Sequence, residues 1–225
     1  MDNTIKETFE GKKKTDNHEL SEIDRLVKPA TSTMIDRYVF ANHWTKDKTV
    51  IDAATGKGYG AGILLALGAK SVVGIDIDED GVRDANNLQQ SPNCTYQVCD
   101  IFKLKDNFKE NEFDVCTSIE TFEHLPPERI DEYLQNLKHI TKETIVITTP
   151  RRVDPVWEYK GGTHLYEYDA SEFRNILWEN FGTEGHEILI MGLNEVRLKE
   201  GQWGTDITKD LNNCWVFFAV IELKK

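Results

Sequence analysis

The sequence lacks long apolar runs and any excess of positive charge. No apolar stretch approaches the roughly 20 residues that span a bilayer, and the N-terminus, M-D-N-T-I-K-E, has no apolar signal core. Lys and Arg total 27 against 39 Asp and Glu, which gives a net charge of −12. Because proteins that neutralise many phosphates are usually basic, long nucleic acid is a disfavoured partner, although a short RNA end stays open. We therefore expect a soluble, cytoplasmic protein with no membrane partner.

Cysteine is also scarce, and its spacing is uninformative for metal binding. The four cysteines, Cys94, Cys99, Cys116 and Cys214, form no C-x-x-C pair. Three of them fall within predicted strands, and Cys94 begins one. This pattern indicates small buried thiols in a reducing compartment, rather than a disulfide framework or a structural zinc site.

The length of the chain fits one domain. Its 225 residues can enclose one α/β domain with a sizeable core. Residues 1–28 are polar and charged and contain Lys12-Lys13-Lys14, so we predict a flexible leader that ends near Pro29. The leader is either a simple tail or a lid over substrate. Residues 29–225 contain no internal repeat or linker and are predicted to form a single domain.

A glycine-rich turn organises this domain. The stretch 49–60, T-V-I-D-A-A-T-G-K-G-Y-G, joins a β-branched run to an apolar, helix-like segment (61–67). Small residues let a backbone approach a ligand closely, and a helix N-terminus offers free N–H groups. The next predicted strand, Ser71–Ile75, ends at Asp76, and an acid about twenty positions after such a turn suits the ribose hydroxyls of an adenosine ligand. We therefore predict a nucleotide-binding unit.

Two kinds of cofactor suit this turn. The dinucleotide pattern G-x-G-x-x-[G/A] fits Gly56, Gly58 and Ala61. The stretch resembles more closely the loop of class I S-adenosylmethionine (SAM)-dependent methyltransferases, an acid followed by x-Gly-x-Gly-x-Gly. Asp52 is the acid, and Ala54, Gly56 and Gly58 fill the glycine positions. Since Ala54 replaces the first glycine, we expect the turn to avoid a conformation that only glycine adopts.

The order of predicted elements agrees with this resemblance. Strands alternate with helices, which favours an α/β fold with a mostly parallel sheet. The resemblance implies a Rossmann-like, seven-stranded sheet with helices on both faces and a C-terminal antiparallel hairpin. We assign the hairpin strands to Glu187–Met191 and Cys214–Leu223, with a polar loop, Gly192–Asn213, between them. A second long loop, Arg151–Tyr168, is predicted to be functional because long connections in compact domains usually are.

The resemblance also implies where SAM binds. An acid after the third strand contacts the adenine amino group in this family, with an apolar neighbour against the ring, and Asp100 and Ile101 match those positions. The predicted cofactor-binding residues are Asp52, Ala53, Thr55, Gly56, Gly58, Asp76, Ile77, Asp100, Ile101 and Ser118.

A cluster of acids and histidines follows the fourth predicted strand. Glu120, Glu123 and His124 lie in S-I-E-T-F-E-H-L, at the edge of the sheet where open α/β folds place their sites. On a helical turn Glu120 and Glu123 would share a face, with His124 adjacent, and His164 leaves the same edge on the following loop. Oxygen and nitrogen donors without thiolate favour Mg²⁺, Mn²⁺ or Fe²⁺ over structural zinc.

Three interpretations of this cluster stay open. Glu120, Glu123, His124 and His164 are the predicted metal ligands. Alternatively His124, His164 and Glu123 are catalytic without a metal, as a general base or as substrate contacts. In the third interpretation, Glu123 and His124 only cap the turn through hydrogen bonds to the backbone.

Two groups of methyltransferases share these motifs. E-x-x-E-H with a later histidine resembles the small-RNA terminal-ribose 2′-O-methyltransferases, which chelate a metal and two ribose hydroxyls. E-x-[IVF]-E-H-L with Thr149-Pro150 and a later H-x-x-E-[YF], here His164 to Tyr168, resembles bacterial methyltransferases found with capsule and O-antigen enzymes, where metal use is not general. The second resemblance implies a sugar or glycan-precursor hydroxyl as acceptor, with N-methylation open. A nicotinamide-dependent reductase is a further alternative, but no Tyr-x-x-x-Lys pair supports it.

Overall fold

The computed structural model describes residues 32–89, 91–153, 162–199 and 202–224. The predicted leader, residues 1–28, lies outside them. The helices are α1 (Ser32–Thr45), α2 (Tyr59–Ala66), α3 (Glu79–Leu88), α4 (Leu104–Asn107), α5 (Ile130–Ile140) and α6 (Ala170–Asn180). The strands are β1 (Thr49–Ala53), β2 (Ser71–Asp76), β3 (Cys94–Val98), β4 (Phe113–Ile119), β5 (Thr141–Pro150), β6 (Glu187–Lys199), β7 (Gln202–Thr208) and β8 (Val216–Glu222).

These strands form one mixed sheet in the order β3-β2-β1-β4-β5-β8-β6-β7. Strands β1 to β5 run parallel, whereas β8 lies antiparallel between β5 and β6. The chain order reverses between β1 and β4, and at such a switch point the carboxyl ends of parallel strands leave a crevice for a ligand. The predicted Rossmann-like α/β class is confirmed.

The predicted strand count and the second polar loop are wrong. Strand β6 continues past the predicted end to Lys199, and β7 returns antiparallel to it, with Gly192 opposite Thr208. Much of the segment assigned to a loop is therefore a β-ribbon, and the sheet has eight strands. An edge strand can keep one face in solvent and therefore contains polar residues. A search for apolar runs does not recognise such a strand. The antiparallel pairing of β6 with β8 agrees with the predicted hairpin, but the two strands are not consecutive.

Apolar residues pack on both faces of the sheet, as the strand alternation requires. One core contains Ile51 and Phe217, which packs against α6 through a stacked contact with Phe173 at 5.1 Å between ring centroids. The other core contains Val50 and Phe218 and faces α1, α2 and α3. Helices therefore cover both faces, as predicted. In the described part of the chain, no helix has the length and apolarity that a membrane crossing needs.

The four cysteines lie inside these cores. Cys94, Cys99, Cys116 and Cys214 are all buried and free. The predicted assignment as buried thiols is confirmed. Tyr38 of α1 also belongs to the core and is 7% exposed.

Candidate active site

A buried carboxylate holds the glycine-rich turn in place. Asp52, at the end of β1, is 1% exposed. Its two oxygens accept hydrogen bonds of 2.7 Å from the hydroxyls of Thr55 and Thr117. Burial raises the pKa of Asp52 to about 6, although both hydroxyl donors oppose this shift. Asp52 therefore ties the glycine-rich turn to β4.

The turn itself passes repeatedly through the left-handed region. Ala54, Gly56 and Gly58 have φ angles of 63°, 57° and 80°. Ala54 adopts a left-handed φ that is not restricted to glycine, although an L-residue reaches this region at a cost of roughly 1–2 kcal/mol. A Cβ at Gly58 would lie 2.6 Å from Cε1 of Tyr96, whereas a Cβ at Gly56 would meet nothing within 4 Å. Packing thus requires Gly58, and Gly56 borders open space.

Asp76 holds the other side of the same turn. Its Oδ2 accepts a 2.7 Å hydrogen bond from the amide of Gly56, and its Oδ1 accepts one of 3.0 Å from the amide of Asp78. Each carboxylate oxygen has a second lone pair, so these contacts leave acceptor capacity for a diol. The neighbouring Ile77 is 70% exposed, which is unusual for so apolar a side chain next to a ligand-binding turn. An acid beside an apolar surface suits a nucleoside.

The remaining predicted cofactor residues surround this turn. Asp100 is the N-cap of a short 3₁₀ turn, and its Oδ1 accepts from the amide of Phe102 at 2.9 Å. Ile101 packs partly against the core. Ser118 is buried, donating to the carbonyl of Ala53 at 3.2 Å and accepting from Tyr133 at 2.9 Å. Ala53 and Ser118 therefore support the turn from below, and their contact with SAM stays a prediction.

Two threonines at the end of β5 orient the two glutamates. The hydroxyl of Thr148 donates to Glu120 and that of Thr149 to Glu123, each at 2.9 Å. Consecutive strand residues point to opposite faces, so the two carboxylates are bound on opposite sides of β5. The expectation that they share one face of a helical turn is wrong. Glu120 has φ 53°, and the helical turn begins only at Phe122.

Glu123, His124 and His164 come together, as predicted. One ligating atom from each lies within 4.8 Å of the other two. Nδ1 of His124 is 2.8 Å from the carbonyl of Thr163, and Nδ1 of His164 is 2.8 Å from Oε1 of Glu167. Since a carbonyl accepts only, and a carboxylate normally does, both Nδ1 atoms carry protons. Each Nε2 of a neutral ring then keeps its lone pair.

Glu120 is not part of this group. Its other oxygen, Oε2, lies 3.4 Å from the guanidinium of Arg37 on α1. Its charge nevertheless affects the neighbouring carboxylate. Burial first, and repulsion from Glu120 second, raise the pKa of Glu123 to about 8. A cation bound at the three residues would relieve both effects.

The donor set fits a divalent cation. One carboxylate oxygen and two imidazole nitrogens on one side of an ion form a known three-ligand arrangement that leaves other positions open. The Nδ1–H of His164 bonded to Glu167 also matches the outer hydrogen bonds that fix metal-binding imidazoles. A neutral imidazole in the same place is equally a general base. The cluster therefore suits a metal site or a general base, and the bond from His124 to the carbonyl of Thr163 also fits the capping interpretation, so all three stay open.

Sequence reasoning missed the residues that hold the loop carrying His164 in place. The amides of Leu165 and Tyr166 both donate to the carbonyl of Glu123, at 2.8 and 3.2 Å. Arg152 is 8% exposed, and its guanidinium donates to the hydroxyl of Tyr166 and to Asp169. The H-x-x-E spacing signals only the separate contact of His164 with Glu167. The lone Arg152 carried no comparable signal. Residues 154–161 of the predicted functional loop lie outside the described residues.

Comparison with known proteins supports the cofactor assignment. Residues 50–144 match the model of a family described as a methyltransferase domain. That region contains the glycine-rich turn, Asp76, Asp100 and the glutamate cluster. The chain carries a SAM-dependent methyltransferase domain. The prediction of enzyme class is thereby confirmed. No curated protein sequence matches the chain.

Solved structures share the fold of this methyltransferase domain at low sequence identity. A SAM-dependent methyltransferase from Archaeoglobus fulgidus has 17% identity and a TM-score of 0.65, covering 92% of this chain and 100% of that chain. The methyltransferase domain of bacterial-CtHen1-C has 18% identity and a TM-score of 0.62, covering 90% and 98%. Magnesium protoporphyrin IX methyltransferase from Synechocystis with bound S-adenosylhomocysteine has 16% identity and a TM-score of 0.59, covering 93% and 89%. Of these three titles, one names a substrate, magnesium protoporphyrin IX, and two name none, so they do not identify the acceptor of this chain.

Proposed function

We propose that this enzyme transfers a methyl group from SAM to a hydroxyl of a small polar acceptor, a sugar or glycan precursor. The observation that carries the proposal is the cluster of Glu123, His124 and His164 within 4.8 Å, following β4 and β5 at the same sheet edge as the turn. A hydroxyl is a poor nucleophile at neutral pH. The two imidazole Nε2 atoms are the groups that correct this deficiency.

The reaction is an in-line displacement at the methyl carbon. The sulfonium already makes that carbon electrophilic, so the protein mainly positions the two reactants. His124 or His164 accepts the hydroxyl proton as the oxygen attacks, and base catalysis of this kind contributes roughly 10²–10⁴-fold. If Mg²⁺ or Mn²⁺ is bound, Glu123, His124 and His164 hold it, and it lowers the pKa of the acceptor hydroxyl. An amine acceptor would need less of this assistance.

SAM contacts are assigned from the same geometry. Asp76 accepts from the ribose hydroxyls while keeping its bond to Gly56. The exposed side chain of Ile77 and the half-buried Ile101 lie against the adenine ring, and Asp100 accepts from the adenine amino group. Gly56 lets the methionine part approach the backbone closely.

A second candidate is metal-dependent 2′-O-methylation of an RNA end. The E-x-x-E-H motif supports it. Two observations weigh against it: Glu120 is bound to Thr148 and Arg37 instead of the histidines, and the net charge is −12. A capsule or O-antigen pathway and a cytoplasmic location stay predictions.

Two measurements test the proposed function. Titration calorimetry with S-adenosylhomocysteine, SAM and NAD should show binding of the first two only. Labelled SAM is then incubated with nucleotide sugars and with a short RNA, each with and without EDTA. Label transfer to the sugars supports the proposal. Transfer to the RNA alone, abolished by EDTA, would establish the second candidate instead.

A further inference from the structure

The junction of β5 and β8 places two more side chains beside the candidate active site. Thr149 pairs with Phe217 in the antiparallel register, and one step beyond Pro150 the amide of Arg151 donates to the carbonyl of Trp215 at 2.8 Å. Arg151 and Trp215 each lie just past the end of their strand, and Arg151 follows Thr149 by two residues, or roughly 7 Å. Since Thr149 binds Glu123, the Arg151–Trp215 pair lies at the same end of the sheet as the candidate cluster.

The guanidinium of Arg151 has more N–H groups than the described residues accept from. Its Nε donates to the carbonyl of Cys214 at 2.6 Å, and its Nη1 donates to the carbonyl of Arg152 at 3.1 Å. These contacts fix the guanidinium and use two of its five N–H groups. Within the described ranges Arg151 forms no ion pair, whereas the next residue, Arg152, pairs with Asp169 and Glu172. A fixed, half-buried guanidinium without a counter-ion is suited to bind an anion.

Trp215 presents an aromatic surface from a rigid backbone. Its carbonyl is bonded to Arg151, and its amide donates to the carbonyl of Leu193 on β6 at 3.0 Å. The side chain nevertheless remains 63% exposed. An indole on such a backbone can pack against a flat ring while its N–H faces water.

We propose that Arg151 and Trp215 bind the methyl acceptor, and that the acceptor is a sugar ring bearing a phosphate ester. The phosphate accepts hydrogen bonds from the free guanidinium N–H groups of Arg151. The ring packs against the indole of Trp215 and directs a hydroxyl toward Nε2 of His124 or His164. In a chain of net charge −12, one accessible guanidinium would select anionic acceptors over neutral ones. This inference rests on the proposed function and names its substrate class.

The test compares acceptors that differ in charge. Binding of glucose 1-phosphate, UDP-glucose, glucuronic acid and methyl glucoside is measured by calorimetry in the presence of S-adenosylhomocysteine. The phosphorylated probes should bind more tightly than methyl glucoside. Arg151→Gln should remove about tenfold or more of that preference, the loss expected for a charged hydrogen bond, and Arg151→Lys should restore part of it.

Two matched variants control for charge and for aromatic loss. Arg174→Gln removes an equal charge from an exposed position on α6, and Trp178→Ala removes a tryptophan of similar exposure, 60%, from the same helix. Both should leave acceptor binding unchanged. Trp215→Ala should weaken phosphorylated and neutral sugars alike, and Trp215→Tyr should recover most of the loss.

The affinity for S-adenosylhomocysteine distinguishes a failure of the proposed function from a failure of the acceptor assignment. If it is absent in the wild-type protein, the proposed function itself fails. If it is normal, but Arg151→Gln binds glucose 1-phosphate as well as the wild type or no phosphorylated probe binds, the acceptor assignment is overturned. Preferential binding of glucuronic acid would replace the phosphate with a carboxylate and also overturn it.

Discussion

Thr149 donates its hydroxyl proton to Glu123, and this carboxylate is 1% exposed. Replacing Thr149 by Val removes the donor and leaves a buried acceptor unsatisfied, which should cost about 1–3 kcal/mol of unfolding free energy. Thr148→Val is the matched control, because the carboxylate of Glu120 is more accessible and can turn to water. The Glu120 amide, which donates to the Thr148 hydroxyl, keeps the carbonyl of Thr148 as an acceptor. Urea denaturation should show the larger loss for Thr149→Val. Equal losses would mean that the Glu123 contact has no special role.

Gly56 and Gly58 should respond differently to alanine. A methyl group at Gly58 would overlap the Tyr96 ring, so Gly58→Ala should lower the melting temperature strongly. Gly56→Ala meets no atom within 4 Å and should lower it only by the strain of φ 57°. That methyl group would occupy space assigned to SAM, so calorimetry should show weaker S-adenosylhomocysteine binding. Normal affinity in a folded Gly56→Ala protein would contradict this placement.

Asp76→Ala should weaken SAM binding by roughly 1–3 kcal/mol, since ribose hydroxyls and the Gly56 amide would lose their acceptor. Asp78→Ala is the control. Asp78 caps α3 by accepting from the amide of Asp80, so its loss should reduce stability while leaving SAM affinity near normal. Titration calorimetry of both proteins distinguishes the two effects. Unchanged affinity in Asp76→Ala would remove the ribose assignment.

Asp52 should make stability depend on pH. Its folded pKa of about 6 lies above its ordinary value of 3.8, so the folded state keeps the proton that the unfolded state releases. Asp52 should therefore contribute a fall of about 3 kcal/mol as pH rises through this window, and Asp52→Asn should remove that part while leaving the fall caused by Glu123, whose pKa is also raised. The measurement is urea denaturation across the window.

Asp114 provides a control of opposite sign. Hydrogen bonds from Thr49 and Lys142 lower its pKa, so its contribution is present above 3.8 and is lost as pH falls below it. Asp114→Asn should flatten the acid side of the profile. If Asp52→Asn flattened the acid side instead, the assigned direction of the Asp52 shift would be incorrect.

Metal binding should depend on His164 and not on Glu120. If the three-residue site holds Mn²⁺, His164→Ala should weaken Mn²⁺ binding about tenfold or more, because one ligand is lost. Glu120→Ala should retain it, since Glu120 is bound to Thr148 and Arg37. Chelation should abolish methyl transfer, and Mg²⁺ or Mn²⁺ should restore it. Full activity after exhaustive chelation would exclude the metal mechanism and leave general-base catalysis by a histidine.

In either mechanism His164→Ala should slow turnover with SAM binding near normal. Glu167→Gln should slow it less, because the amide can still accept from Nδ1 of His164 but no longer stabilises a charged ring. Single-turnover rates and S-adenosylhomocysteine affinity are measured on both variants. A parallel loss of cofactor affinity would indicate that His164 serves SAM or the fold.

Local sequence patterns predicted the elements whose conformation is set by residues next to each other in the chain. The β-branched run before Asp52 and the turn at Gly56 and Gly58 lie where expected. Strand β7 was missed because an edge strand needs only one apolar face. The separation of Glu120 from Glu123 was missed because it depends on the left-handed φ of Glu120, which sequence spacing does not specify. The pairing of Arg151 with Trp215 depends on the register of strands distant in sequence.

Helix α1 connects the far edge of the sheet with the catalytic side. Asp36 accepts a 2.6 Å hydrogen bond from Thr205 on β7, and the adjacent Arg37 contacts Glu120. These two consecutive residues join the last-added strand to a carboxylate whose charge acts on Glu123. A shift of this one helical turn would therefore change the field at the reacting groups without moving any of them. Strand β7 therefore influences Glu123 through α1. Thr205→Val, which removes the hydrogen bond to Asp36, should change the electric field at Glu123.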